Sequence, residues 1–142
     1  LLPEEARLVA LTLRDLRSSL SGFRELGSGG LAIMYYMGYK LGEELADRIR
    51  GEGRRALEHL LAYCEGLGYG EFELVDYEDR SYCRIRARGL FECVRGGRGS
   101  QIFRGMLSGF LARLWKREVR AVEVACAARL DPYCEFEARG TR

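Results

Sequence analysis

The sequence predicts an α+β domain whose elements follow the order ααα-ββ-α-ββ. Four segments repeat apolar residues at helical spacing, and two pairs of shorter segments alternate apolar with polar residues around turn-forming residues. Helices and antiparallel strands grouped in this way are typical of the α+β class. A chain of 142 residues, 47% apolar and 31% charged, has the length and composition of one folded domain. We therefore expect a single domain over residues 1–142.

Three helices are expected before the first strand. Pro3 and the acidic residues after it begin the first helix, whose leucines approximate a helical stripe until Ser21 and Gly22. The second helix follows the glycine-rich GSGG and reads LAIMYYMGYKLGEELADRI, with apolar residues recurring on one face. The third runs from about Arg54 to Leu67 and ends at glycines, as helices often do.

Two antiparallel hairpins account for the strands. The stretch YGEFELVDYEDRSYCRIRARGLF alternates apolar with polar residues around the turn-like DYEDRS, so one face of this hairpin should be buried. The segments VRAVEVACA and YCEFEA form the second hairpin about the sequence LDP. The fourth helix, IFRGMLSGFLARLW, lies between the two hairpins and follows the loop GGRGSQ.

Small residues on two of the helices predict close packing. The fourth helix carries Gly105, Ser108, Gly109 and Ala112 along one stripe. Gly38 and Gly42 on the second helix are four residues apart and would let another backbone approach closely.

Charge and composition exclude several classes of function. The formal net charge is +2 and basic residues are interleaved with acidic ones, so nucleic acid is not an expected partner of this domain. No signal pattern and no apolar run of about 18 residues is present, which predicts a cytoplasmic chain without membrane insertion. The sequence begins LLPEEARLVA without Met, as a piece of a longer protein would. Arginine outnumbers lysine 21 to 2, a thermophile-like profile that genomic base composition explains equally well.

Five cysteines without a secretion signal argue against an extracellular disulfide framework. A thermophilic origin would keep an intracellular disulfide open. Cys64, on the third predicted helix, and Cys83, in the first hairpin, are expected to fill the core. The sole histidine, His59, lies beside Glu58 on an ordinary helical face, where solvation is expected rather than catalysis.

The stretch VEVACAARLDPYCEF places Glu123, Cys126 and Cys134 around an Asp-Pro turn. In a hairpin centred near Leu130 the two cysteines face each other, close enough for one ion. Glu123 lies three residues before Cys126, so in a regular strand it points to the opposite face, and joint ligation requires a bulge near Ala125. The alternatives are a disulfide between the two cysteines, or two small buried thiols with Glu123 in solvent.

Three segments carry a resemblance to a known family. GLAIMYYMGYKLGEELA, FRGMLSGFLARLW and VEVACAARLDPYCEF resemble the glycine-containing helix, the small-residue helix and the closing E-x-x-C-x-x-x-G-D-x-x-C-x-F signature of the 4-vinyl-reductase domain family. The resemblance covers about residues 30–137, and residues 1–29 form an N-terminal helix and linker. Leu130 stands where the family usually has Gly, so the turn cannot rely on an easy positive φ there.

The resemblance implies a fold shared with the TRAPP vesicle-tethering subunits and with phenol-responsive bacterial activators, the NO signalling/Golgi transport ligand-binding fold. It also implies a homodimer and an enclosed apolar pocket. In the phenol sensors the signature holds zinc, which implies Glu123, Cys126 and Cys134 as ligands here, with Cys93 as the fourth. Cys93 lies farther ahead of the small-residue helix than the family's first metal cysteine. Such a zinc is structural, since four protein ligands leave no open position for water.

An apolar pocket would be lined by Tyr36, Tyr39, Met106 and Phe110. Tyrosine and methionine tolerate irregular apolar ligands, and the adjacent Tyr35 and Tyr36 cannot both point inward from one helical stripe. The alternative interpretation of these side chains is ordinary core.

Three functions follow, in order of preference. The first is a non-enzymatic sensor domain that binds a hydrophobic small molecule and passes its occupancy to a dimer partner or an attached effector. The second is a dimeric protein-interaction module like the TRAPP subunits, with no ligand. A vinyl-reductase type of enzyme ranks last, because the sequence contains no nucleotide-binding motif and no convergent acid-base pair.

Overall fold

The computed structural model describes residues 3–141 and confirms the predicted order of elements. Short 3₁₀ turns at Glu4–Ala6 and Ala127–Arg129 accompany four α-helices and four β-strands in the described part of the chain. The helices and strands are α1 (Leu13–Glu25), α2 (Ser28–Arg48), α3 (Gly53–Gly66), β1 (Glu71–Glu78), β2 (Tyr82–Arg88), α4 (Ile102–Trp115), β3 (Glu118–Ala125) and β4 (Cys134–Thr141).

The strands form one antiparallel sheet in the order β1-β2-β4-β3. Alternate residues of the two central strands are buried, as the two-residue period predicts, and helices cover that face. The opposite face carries the charged and tyrosine side chains of the same strands, including an ion pair between Arg86 and Glu135 at 2.8 Å. The expected one-sided burial of the first hairpin is therefore confirmed on β2.

Helix α4 forms the centre of the core. Ten of its fourteen residues are buried, including Phe103, Met106 and Phe110. The ring of Phe103 stacks on Phe72 of β1 and meets Phe136 of β4 edge-on, each pair with centroids 5.0 Å apart. Because α4 is enclosed on nearly every side, it cannot show the one-sided apolar stripe of a surface helix.

Glycines bring the backbones of α2 and α4 into direct contact. A Cβ added at Gly42 would lie 2.1 Å from the carbonyl oxygen of Met106. The reverse also holds, since a Cβ at Gly109 would lie 2.2 Å from the carbonyl oxygen of Tyr39. Gly38 and Gly105 make the same kind of contact one turn earlier. The close packing predicted from the small residues is therefore confirmed, and each helix supplies glycines where the other's backbone passes.

The first helix begins later than predicted. Residues 7–12 form no helix, and α1 starts at Leu13, where the hydroxyl of Thr12 accepts a hydrogen bond from the Asp15 N–H at 3.1 Å. Leu8 and Val9 are 81% and 88% exposed, so a helix through them would gain no stability from tertiary packing. The helix also continues past Gly22 to Glu25. No helix of residues 3–141 is long and apolar enough to cross a bilayer.

Replacing Gly42 with Ala should lower the free energy of unfolding by about 3 kcal/mol or more, because the new methyl group overlaps a backbone carbonyl that cannot move alone. Gly29→Ala in the same helix is the matched control, since a Cβ there meets nothing within 4 Å. Its stability should stay the same or rise by up to about 1 kcal/mol. Urea unfolding of both variants measures the difference, and equal effects would contradict the proposed backbone contact.

Candidate metal centre

Cys93, from the connection between β2 and α4, meets Cys126 and Cys134 of the β3–β4 turn beside the end of β3. The Sγ atom of Cys93 lies 3.1 Å from that of Cys134 and 3.7 Å from that of Cys126, and all three sulfurs lie within 4.8 Å of one another. Cys126 and Cys134 are buried and Cys93 is partly exposed. The structure therefore brings together the three cysteines that the resemblance implies as metal ligands.

The turn between β3 and β4 directs backbone N–H groups at the cysteines. The Ala127 N–H donates to the sulfur of Cys134 at 3.4 Å, and a carboxylate oxygen of Asp131 accepts from the Cys126 N–H at 2.8 Å. Donors aimed at sulfur stabilise thiolates. Burial nevertheless raises the pKa of Cys126 more strongly than the Ala128 N–H lowers it, and raises that of Cys134 more strongly than the Ala127 N–H lowers it. Without a nearby cation the two thiols are therefore held in their neutral form.

A bulge in β3 places Cys126 on the same face of the strand as Glu123. Glu123 pairs with Phe136 and Ala125 pairs with Glu135, which leaves Val124 as an extra residue in β3. The extra residue reverses the alternation of faces, so that Glu123 and Cys126 lie on the same side. The irregularity that joint ligation by Glu123 and Cys126 requires near Ala125 is therefore present.

The carboxylate of Glu123 is only partly satisfied by the protein. Its Oε1 accepts a hydrogen bond from the Ser100 N–H at 3.1 Å, and Gly99 permits this approach because a Cβ there would lie 2.5 Å from Oε1. Its Oε2 is buried and accepts no hydrogen bond from residues 3–141. Burial raises the pKa of Glu123, although the Ser100 N–H and Arg129 act in the opposite direction.

These donors fit a zinc ion. Three thiol sulfurs that lie within 4.8 Å of one another are a donor set that Zn²⁺ binds. The carboxylate of Glu123 is not a member of this close group, but its buried Oε2, which has no hydrogen-bond partner among residues 3–141, is an anionic oxygen that would complete a tetrahedral set if it moved toward the sulfurs. A cation would also reverse the effect of burial, because it favours the thiolate and carboxylate forms.

Glu92, next to Cys93, is a buried acid that sequence analysis did not identify. Its Oε1 accepts from the N–H groups of Gln101 and Ile102 at 2.7 and 2.8 Å, and its Oε2 accepts from Phe103 at 2.6 Å. These are the free donors at the start of α4, so Glu92 caps that helix from nine residues upstream. Burial raises the pKa of Glu92, while the three N–H groups favour its charged form.

Helix α1 contacts the connection between β2 and α4, which carries Glu92 and Cys93. The guanidinium group of Arg17 donates to the carbonyl oxygen of Phe91 at 3.0 Å, and that of Arg24 donates to the carbonyl oxygen of Glu92 at 2.6 Å. The loop is also tied to the β3–β4 turn, because the Gly96 N–H donates to the carbonyl oxygen of Ala128 at 3.0 Å. These contacts place the Cys93 side chain beside the sulfurs of Cys126 and Cys134.

The side chains predicted to line a pocket do not share one surface. Met106 and Phe110 are fully buried on α4, and Tyr39 is partly buried on α2. Tyr36 is 63% exposed, because it lies on the face of α2 opposite Gly38. The structure contains clefts of about 250, 480 and 550 Å³, and none of these three is lined by the four residues. Their role in binding a ligand stays a prediction.

The remaining cysteines and the histidine lie as expected. Cys64 and Cys83 are buried in the core, and burial raises the pKa of each to about 12, so neither is a reactive thiolate. The sulfur of Cys64 contacts that of Met106 at 3.7 Å. His59 is exposed on α3, with its Nδ1 2.6 Å from the carbonyl oxygen of Arg50.

Sequence comparison finds no protein family whose profile matches the chain and no matching curated protein. Solved structures do match. The phenol-responsive sensory domain of the transcription activator PoxR, with phenol, is 15% identical and has a TM-score of 0.79, covering 94% of this chain and 77% of that one. The fold of this chain is the fold of that domain. The fold that the resemblance implied is therefore confirmed.

Two further structures have the same fold. Subunit 3 of a trafficking protein particle complex from Naegleria fowleri, covalently bound to palmitic acid, is 15% identical with a TM-score of 0.67, covering 92% of this chain and 95% of that one. A vinyl-4-reductase family protein from Methanocaldococcus jannaschii is 14% identical with a TM-score of 0.58, covering 95% and 98%.

Leu130 adopts a backbone conformation that suits glycine. Its φ is 72° and its ψ is 12°, in the left-handed region, and its side chain is 74% exposed. The turn therefore keeps a positive φ even though leucine occupies the position. A left-handed residue other than glycine costs about 1–2 kcal/mol.

Leu130→Gly should raise the free energy of unfolding by about 1 kcal/mol, because glycine adopts this φ without strain and an exposed side chain loses little packing. Leu130→Ala is the matched control, since it removes the same exposed side chain and keeps the Cβ. It should give no gain in thermal or urea unfolding. A gain of equal size in both variants would show that the left-handed backbone is not the cause.

Glu92→Ala should lower the free energy of unfolding by about 3 kcal/mol or more, because it leaves three buried N–H groups of α4 without an acceptor. Exposed Glu58→Ala on α3 serves as the control and should change stability by less than about 0.5 kcal/mol. Urea unfolding gives both values, and a loss below about 1 kcal/mol for Glu92→Ala would contradict the capping role.

Proposed function

We propose that this chain is a non-enzymatic binding domain for a hydrophobic small molecule, dimeric in solution and stabilised by a zinc ion at Cys93, Glu123, Cys126 and Cys134. The observation that carries the proposal is the match to a phenol-responsive sensory domain over 94% of the chain. A second structure of the same fold holds palmitic acid. Because one fold can serve many functions, the proposal requires direct tests.

The composition of the core around α4 supports a small-molecule ligand. Met106 and Phe110 lie where α4 faces the inside of the domain, and Cys64 packs on Met106 through sulfur. Flexible thioether and thiol side chains rearrange at lower cost than β-branched ones, so this part of the core can open around an apolar ligand. We infer that Tyr39, Met106 and Phe110 border the ligand, with Tyr36 nearer the surface.

The polar groups support binding rather than catalysis. The two acids with raised pKa values that lie inside the domain, Glu92 and Glu123, are occupied by the cap of α4 and by the candidate metal centre. His59 lies on the surface of α3. A vinyl-reductase type of activity therefore remains the last of the three candidates.

The outer face of α2 favours a second function, that of a dimeric interaction module. Ile33, Tyr36 and Met37 are 48%, 63% and 47% exposed, and they form an apolar patch on the side of α2 that faces away from α4. Large apolar side chains grouped in this way are typical of a protein interface. The same patch would serve a sensor that transmits ligand occupancy to a dimer partner. The cytoplasmic location of the protein and the absence of nucleic-acid binding by this domain stay predictions from the sequence.

Zinc should bind with a stoichiometry of one ion per chain and raise the melting temperature relative to protein treated with EDTA, because the ion joins the loop carrying Cys93 to the β3–β4 turn. Elemental analysis and thermal unfolding provide the two measurements. Cys126→Ser should lose the ion, whereas Cys83→Ala, which changes a buried cysteine outside the centre, should retain it. Loss of metal from both variants, or from neither, would contradict this assignment.

Native mass spectrometry should detect a dimer that binds one phenol or one palmitic acid per chain. Phe110→Ala should weaken binding of the probe by about tenfold or more, because it removes a buried aromatic ring of α4 that is proposed to border the ligand. Tyr63→Ala, on exposed α3 surface, is the control and should bind as the wild type does.

Met37→Glu separates the two functions. It should convert the dimer to a monomer at micromolar concentration, because it places a charge in the apolar patch of α2. A wild-type dimer that binds neither probe would favour the interaction module. A wild-type monomer that binds a probe would leave the sensor without its proposed partner.

A further inference from the structure

The three cysteines of the candidate centre are not equivalent. Cys93 is the only one that solvent reaches, since Cys126 and Cys134 are each 1% exposed. The sulfur of Cys93 lies closer to Cys134, at 3.1 Å, than to Cys126, at 3.7 Å. The sequence had suggested a bridge across the last hairpin, between Cys126 and Cys134. The structure singles out a different pair.

We propose that Cys93 and Cys134 are an oxidisable thiol pair that a hydroperoxide converts to a disulfide, and that this conversion dismantles the metal centre. The sulfur of Cys93 attacks the peroxide, an S–O bond forms as the O–O bond breaks, and one water leaves. The sulfur of Cys134 then displaces the hydroxyl from Cys93 as a second water, and the S–S bond forms. Two thiols lose two protons and two electrons, and hydrogen peroxide gains them to give two waters.

The geometry allows the bridge with little movement. A disulfide requires the sulfurs to close to about 2.0 Å, so a separation of 3.1 Å shortens by about one ångström. Cys134 opens β4 and pairs with Ala87, which fixes its backbone in the sheet. Cys93 belongs to the connection between β2 and α4, in which Gly96 and Gly99 have φ values of 78° and 86°.

Oxidation and metal binding exclude each other. A disulfide removes Cys93 and Cys134 from the set of donors, and only Cys126 and Glu123 remain, which is too few for a closed zinc site. This consequence rests on the proposed metal centre, whereas the thiol pair itself does not. The centre thus becomes a site at which an oxidant can loosen the connection between the loop and the β3–β4 turn.

The sequence makes the pair easy to map without any substitution. Cleavage after arginine places each of the five cysteines on its own peptide, with GLFECVR for Cys93, AVEVACAAR for Cys126 and LDPYCEFEAR for Cys134. Metal-free protein treated with one equivalent of hydrogen peroxide should lose about 2 Da and give GLFECVR linked to LDPYCEFEAR. A link from AVEVACAAR to either peptide, or a gain of oxygen without a link, would overturn the proposal.

Variants and metal-loaded protein complete the test. Cys93→Ser should abolish the 2 Da loss, and Cys126→Ser should retain it, so the two serine variants form a matched pair. Peroxide added to the zinc-loaded wild type should release one zinc per disulfide formed, followed with a chromogenic zinc indicator. If the disulfide forms but the chain never binds zinc, the pair stands and the metal centre fails. If zinc binds and peroxide leaves the thiols unlinked, the metal centre stands and the pair fails.

Discussion

The close contact between α2 and α4 is the constraint on which the rest of the structure depends. Backbone meets backbone at Gly38, Gly42, Gly105 and Gly109, so neither helix can shift or rotate without collision. This contact places α4 against the sheet with ten of its residues buried. A helix enclosed to that extent cannot leave the N–H groups of its first turn to water, and they require an acceptor from the protein.

Glu92 supplies that acceptor, and its position determines where the candidate metal centre lies. The carboxylate binds three N–H groups of α4 while the next residue, Cys93, places its sulfur beside Cys126 and Cys134. Arg24 of α1 holds the carbonyl oxygen of the same glutamate. One short segment therefore joins the start of α4, the first helix and the β3–β4 turn. Because this segment contacts α4, a rearrangement of the candidate metal centre takes place next to the helix that is proposed to border a ligand.

The sequence predicted the parts of the structure that follow from strict periodicity. The order of elements followed from periods of two and 3.6 residues. The bulge near Ala125 was expected only on the condition that Glu123 and Cys126 bind one ion, because in a regular strand they face opposite ways. Spacing could also have oriented Tyr36, which lies two residues from Gly38 and so on the opposite face of α2. The cap by Glu92 depends on a contact between segments nine or more residues apart, and the absence of helix at residues 7–12 depends on the absence of a packing surface, neither of which a local pattern records.

The chemistry of the centre differs from that of the core around it. Burial raises the pKa of Glu123, Cys126 and Cys134, and one oxygen of Glu123 has no hydrogen-bond donor from residues 3–141. A group buried without a partner costs free energy, so this arrangement does not by itself stabilise the fold. The N–H groups of Ser100 and Ala127, which donate to Glu123 and to the sulfur of Cys134, favour the anionic forms of these two side chains. A cation would stabilise those anions and satisfy the free oxygen at once, whereas the contact of α2 with α4 involves none of these groups.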